Sequence, residues 1–153
     1  MNPLLKKLNF KGQASIDVLA APPELGPLLD EFRADTRVRD RLPDTGVEFV
    51  LLFATRQAEV DAFAARIAAA AAGDPIVWVA YPKAASKRHR CEFNRDTGWT
   101  AMGAHGFEPV RQVAIDEDWS ALRFRRVEHI KTMTRSFALT DAGKARTATT
   151  SRP

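Results

Sequence analysis

Cysteine is almost missing from this 153-residue chain. Cys91 stands alone, so no disulfide within the chain can brace the fold. Long hydrophobic runs are missing too. The longest, near Val47–Ala54 and Ile67–Ala72, fall far short of a bilayer span, so no membrane is expected as a partner. Met1–Lys7 carries charge but no extended apolar segment and no small-residue cleavage site, so no signal peptide is expected and the cytoplasm is the expected compartment. Metal-ligand spacing is also absent: His89 and Cys91 lie two apart in a basic loop, with no second pair elsewhere. Asp116, Glu117 and Asp118 are adjacent on a tight turn, and their spacing is not that of a calcium loop. No Ser/His/Asp or Cys/His constellation can be assembled, and His105 reads as a structural or exposed residue in the last turn of a helix, where partial positive charge is favourable. The expectation is therefore no catalytic residue, no metal and no cofactor.

What is present is ordinary globular material, 45% hydrophobic and 27% charged residues, in a length that suits one domain able to bury its own core. The net charge of +4 suggests nucleic acid until its placement is read. Between Lys131 and Pro153 there are five basic residues (Lys131, Arg135, Lys144, Arg146, Arg152) and one acid, Asp141, while the other 18 basic and 18 acidic residues cancel. The excess charge thus sits in a Thr/Ala/Ser-rich tail. Such a tail buries too little apolar surface to offset its ordering entropy, so 131–153 is expected to be a disordered basic tail.

Along the chain, residues 1–13 read as an N-terminal arm anchored by Leu4, Leu5, Leu8 and Phe10. Ala14–Ala20 reads as a strand with Ile16 and Val18 on one face; Asp17 on the other suggests an edge strand. Its open edge would be covered by the arm or by a second subunit. Pro22-Pro23-Glu24 opens a helix with Leu25, Leu28, Leu29 and Phe32 as its apolar stripe. A charged loop and a Pro43–Gly46 turn lead to the near-continuous apolar strand Val47–Phe53, which reads as central. Thr55 is the expected N-cap of a helix whose Val60, Phe63, Ala64, Ile67, Ala68 and Ala71 share one face, ending at Gly73. Ile76–Ala80 is a third strand, Arg95–His105 a short helix burying Trp99 and Met102, and Pro109–Ile115 with Ala121–Val127 an antiparallel hairpin. The pattern is βαβαβαββ: a single three-layer α/β domain over 14–130 with a half-Rossmann-like, mostly parallel sheet and a C-terminal antiparallel hairpin.

The carboxyl ends of parallel strands form one rim, where loops carry function. There the Ile76–Lys83 run opens into a basic loop. Arg56, Tyr81, Lys83, Ser86, Lys87, Arg88 and Arg90 are the candidate anion- or ligand-binding residues, because guanidinium and ammonium groups suit phosphate and carboxylate. The competing reading is a solvated basic loop partly neutralised by Asp116–Asp118. Trp119, Arg123 and Arg125 form a second cluster. On an edge strand, Trp119 with Arg could stack on a base; on a central strand the arginines would need carboxylate partners, Asp118 or Glu128. The most favoured reading is a non-catalytic binding or interaction module for an anionic small molecule or a protein. Single-stranded nucleic-acid binding is the alternative.

Residues Gly46–Val127 resemble, in element order, the second half of class I methyltransferases. That likeness implies a sheet order of first, second, third, fifth, fourth strand, with only the fifth antiparallel. Leu51-Leu52-Phe53, Trp78–Lys83 and Asp118–Arg123 also resemble an uncharacterised bacterial family of small α/β domains of unknown function. The chain departs from the enzymes at Ala20-Ala21-Pro22-Pro23-Glu24-Leu25-Gly26, where they place a glycine-rich loop for S-adenosylmethionine. The two strands beyond the first are also expected to be missing. The resemblance therefore implies at most a degenerate methyltransferase-like protein.

Overall fold

Two unbroken apolar runs set the centre of the sheet. In the computed structural model of the chain, which describes residues 1–71 and 73–130, β3 (Phe49–Phe53) and β4 (Ile76–Pro82) are buried at every position. A strand covered on both faces must supply apolar side chains to two cores at once. Phe49, Leu51, Phe53, Trp78 and Ala80 enter one core, while Val50, Leu52, Val77 and Val79 enter the other.

The order along the chain is α1 (Pro3–Lys7), β1 (Ser15–Leu19), a 3-10 turn (Pro23–Leu25), α2 (Gly26–Arg33), β2 (Arg37–Arg39), β3, α3 (Gln57–Ala70), β4, α4 (Thr100–Ala104), β5 (Phe107–Ala114) and β6 (Trp119–Arg126). The six strands lie in the order β2-β1-β3-β4-β6-β5, with β6 antiparallel to both neighbours and the other pairings parallel. The sheet is therefore the mostly parallel, Rossmann-like one expected, hairpin last, with one strand added. No helix among the described residues is long and apolar enough to cross a membrane.

The added strand corrects the expected edge. β2 comes from the charged loop and pairs parallel with β1, placing Ser15 opposite Arg37 and Asp17 opposite Arg39. β1 is therefore interior, and its buried Asp17 is answered by Arg39. Neither the arm nor a second subunit is what covers that edge. The arm packs on a face instead: Asn2 Oδ1 accepts the backbone N–H of Leu4 (2.8 Å) and Leu5 (3.2 Å), starting α1. Leu5 and Leu8 are fully buried, and the indole N–H of Trp78 donates to the Leu8 carbonyl at 2.9 Å.

α3 buries Val60, Phe63, Ala64 and Ile67 as its periodicity dictates. Its cap differs from expectation, since Thr55 and Arg56 both donate backbone N–H groups to the Glu59 carboxylate, at 3.0 and 2.9 Å. Arg126 closes the other end, donating to the carbonyls of Ala68 (3.2 Å) and Ala71 (2.6 Å). α4 is shorter than expected. Asn94 Oδ1 accepts from Asp96 and Thr97 N–H, and Gly98 sits at φ +94°, so the chain turns before the helix begins. Trp99 and Met102 are nonetheless buried. At the far edge β5 carries Pro109 and a register shift between Pro109 and Arg111, both of which blunt an open edge strand.

Candidate functional site

The loop after β4 is fastened across the rim. Lys83 N–H donates to the Asp118 carbonyl (2.7 Å) and Ser86 Oγ to Asp118 Oδ1 (2.8 Å). Ser86 Oγ in turn accepts from Arg88 and His89 N–H, each at 3.2 Å. Asp116 Oδ1 accepts from Asp118 and Trp119 N–H, so two of the three adjacent acids shape the turn. The His89 ring pairs with the carboxylate of Glu24, in the turn after β1, and lies 5.0 Å from the Trp119 ring. Trp119 stands edge-on to Phe53 at 5.1 Å. The hydrogen bond from His89 holds the Glu24 carboxyl below its ordinary range.

This rim supplies its own anions. A helix N-terminus attracts negative charge, and at α3 that position holds Glu59 together with Glu92, whose carboxylate accepts Gln57 N–H at 2.8 Å. Of the residues singled out in the sequence, Tyr81, Lys83, Ser86 and Arg90 line one open cavity of about 800 Å³. Arg56, Lys87 and Arg88 are exposed and do not line it. The Tyr81 hydroxyl accepts from Gln112 Nε2 (3.1 Å), and burial pushes both it and the nearby Cys91 thiol above their ordinary values.

The second cluster is divided by the fold. β6 is interior, so the edge-strand arrangement is overturned. Trp119 is buried and presents no platform to solvent. Arg125 does have a carboxylate partner, but it is Asp74, bound through both Nε (3.0 Å) and Nη2 (2.5 Å), and neither Asp118 nor Glu128. That contact holds Asp74 below the ordinary carboxylate range and raises Arg125.

The sequence reading missed a third region. β1 sits between β2 and β3, so chain connections leave it in both directions, and the carboxyl ends at such a switch point form a crevice. Here the crevice has a volume of about 870 Å³ and is lined by Leu19, Ala20, Asp40, Leu42, Leu52 and Arg66 among others. A neighbouring hollow of about 730 Å³ shares Ala20, Asp40 and Arg41 with it. Ala20, the first residue after β1, sits at φ +58°, the left-handed conformation that glycine adopts without penalty. The corner thus keeps the backbone shape of a glycine turn without the glycine. Asp40 follows directly after β2 and is exposed, twenty residues after Ala20. That spacing is the one signal that could have found it, because an acid about 20 residues beyond the first strand is the usual partner of a ribose diol in such folds.

Comparison with solved structures finds the same kind of fold in two methyltransferases. The chain is similar to a SAM dependent methyltransferase from Aquifex aeolicus, with a TM-score of 0.56 and 13% identity, over 81% of this chain and 88% of that one. It is also similar to a candidate type 11 methyltransferase from Sulfolobus solfataricus, with a TM-score of 0.51 and 10% identity, over 87% of this chain and 92% of that one. At such identities the likeness is one of fold. No family model matches the chain, and no curated protein matches it in sequence.

Proposed function

We propose that the chain is a degenerate methyltransferase-like binding domain whose crevice over β1 and β3 takes an adenosine-type ligand without phosphates. The observation that carries this is the juxtaposition of Asp40 and the left-handed Ala20 corner at the switch point of the sheet. An exposed carboxylate there suits two adjacent hydroxyls. Phosphate fits poorly: Pro22 and Pro23 lack the N–H groups that would cradle it, and a 3-10 turn precedes α2. The lining also carries three acids (Asp40, Asp44, Glu59) against two bases (Arg41, Arg66), which disfavours a polyanion.

S-adenosylmethionine and S-adenosylhomocysteine are nucleosides of the required kind. Asp40 would hold the ribose, Leu19, Leu42 and Leu52 would pack the apolar surface, and Ala20 would set how closely the backbone approaches. No side chain is assigned to a chemical step. The cavity at Tyr81, Lys83, Ser86 and Arg90 supports a second reading, an anionic-ligand groove, through the exposed charge of Arg90 beside half-buried Lys83.

Amide NMR titration with S-adenosylhomocysteine, adenosine and ATP tests the first reading. The expected result is saturable shifts at Leu19–Ala21 and Asp40–Leu42 for the two nucleosides and weaker binding of ATP. Silence at those positions for both nucleosides overturns it, and shifts confined to Tyr81–Arg90 with ATP favour the second.

A further inference from the structure

Another cavity, of about 450 Å³, lies at the opposite end of the sheet, beside the amino ends of β3 and β4. Lys11, Gln13, Glu48, Asp74, Arg123 and Arg125 contribute to its wall. Arg125 is matched by Asp74. Arg123 is not matched: its Nε is buried without an acceptor, and its guanidinium has no ion pair among the described residues. Burial and the neighbouring charges of Arg125 and Arg111 draw its proton affinity down, and the charge of Asp74 offsets this only in part.

The sheet register sharpens this imbalance. Arg111 stands directly across from Arg123 on the paired strand, and like charges in that position repel. Neither Arg111 nor Lys11 has a carboxylate partner among the described residues. Counting Arg111 with the lining, four basic groups meet two acids, Glu48 and Asp74. A half-buried guanidinium without an ion pair, bordering a polar hollow with a lysine on its wall, is the complement of an oxyanion.

We propose that this cavity is a phosphate-binding site, taking a small phosphate or phosphate monoester. Arg123 and Lys11 are the direct ligands. Arg111 adds field from the paired strand, and the Asp74–Arg125 pair is the positioning wall that keeps Arg125 from folding over the site. One feature favours a tetrahedral oxyanion over a carboxylate: the donors come from separate segments, the arm and β6, and so approach from different directions. The acids Glu48 and Asp74 at the wall favour a compact ligand over an extended polyanion.

The test uses the full chain and the arginine Nε–H resonances, followed by NMR while sodium phosphate is added at fixed pH. Sodium chloride and sodium acetate at matched ionic strength are the controls. The Arg123 Nε–H signal is expected to move saturably with phosphate and not with chloride. Arg123→Gln should weaken phosphate by at least about tenfold, the loss of one charged hydrogen-bonding partner. Arg111→Gln and Lys11→Gln, at exposed positions that leave the core intact, should each weaken it by about threefold or more.

A linear response equal to that of chloride overturns the proposal, as does phosphate binding unchanged in both exposed variants. Acetate binding as tightly as phosphate overturns the phosphate assignment. A short single-stranded RNA binding more tightly than phosphate, in a manner lost with Arg123→Gln, replaces the small ligand with a nucleic-acid backbone. The site shares no residue with the crevice over β1 and β3, so the two readings fail separately.

Discussion

Arg39 closes on Asp17 through two hydrogen bonds, Nε to Oδ1 at 2.7 Å and Nη2 to Oδ2 at 3.2 Å. The carboxylate is 1% exposed and the arginine 36%, so one partner is buried and the other reaches it from the surface. This pair stitches the three-residue β2 to β1 and makes an interior strand of one that carries an acid. Removing only the arginine leaves a buried carboxylate unmatched. Arg39→Ala should destabilise by about 2–3 kcal/mol, toward the lower end for broken buried pairs because water can enter where the arginine was. The Asp17→Ala/Arg39→Ala double variant should lose less than the sum of the two single variants. Urea midpoints measure both; an Arg39→Ala loss under about 0.5 kcal/mol would show the carboxylate already hydrated.

Ala20 holds a left-handed backbone with a side chain attached. Replacing it by glycine removes a penalty of about 1–2 kcal/mol and adds unfolded-state entropy, so Ala20→Gly should stabilise by about 0.5–1 kcal/mol. Thermal melts read this directly. A destabilised variant would mean that the Ala20 methyl packs against the corner.

Asp40 is exposed, so Asp40→Asn should leave the melting temperature within about 2 °C of the parent. Its effect belongs to the crevice. Adenosine and S-adenosylhomocysteine affinity should fall about tenfold or more by calorimetry, as expected when a charged acceptor of a diol is neutralised. Unchanged affinity would remove Asp40 from the site.

Glu24 and Asp74 are both held below their ordinary values of 4.5 and 3.8 by hydrogen bonds from His89 and Arg125 respectively. Each binds fewer protons folded than unfolded in that range, so stability rises with pH there. Their contribution is present above about pH 4.5 and is lost as the pH falls through the depressed folded values. Asp74→Asn should cost about 0.5–1 kcal/mol at pH 7, given its partial exposure, and close to nothing near pH 2. Denaturant titrations at several pH values measure the convergence. A constant difference across pH would contradict the ion-pair account.

Gly98 leaves no room for a methyl group. A Cβ there would lie 2.5 Å from the Phe93 Cβ, on a backbone at φ +94°. Gly98→Ala should destabilise by about 2–4 kcal/mol and loosen the Phe93–Trp99 contact. Near-ultraviolet circular dichroism reads the aromatic packing, and an unchanged spectrum would show that the loop shifts freely.

The residues differ in how openly they announced their places. Val60, Phe63, Ala64 and Ile67 repeat at helical spacing, and Phe49–Phe53 and Ile76–Ala80 are apolar without a break, so α3, β3 and β4 could be read directly. Arg37-Val38-Arg39 has one apolar residue in three and reads as loop. It becomes a strand only because β1 offers it a ladder and Asp17 offers it a partner. The crevice stayed hidden for the same reason: without β2 there is no switch point, and Asp40 is one more acid in a charged stretch.

Trp119 shows the opposite failure. Beside two arginines it resembles a stacking platform in the sequence, yet Phe53 and His89 cover it. Alternation did place Arg123 and Arg125 on one face, opposite Leu122 and Phe124. It did not identify Asp74 as the partner of Arg125, 51 residues away.

By itself, the sequence determined the elements with strong periodicity and the rim where loops gather, while the order of the strands was only implied by the likeness to methyltransferases. Hydrophobic spacing is a local property, and burial acts on it whatever the partner. Only the tertiary structure decided which charges meet. Asp17 and Arg39 are 22 residues apart and Glu24 and His89 are 65 apart; each contact depends on sheet register and loop closure rather than on neighbours in the chain. Those long-range pairings leave Asp40 and Arg123 bordering cavities at opposite ends of the sheet.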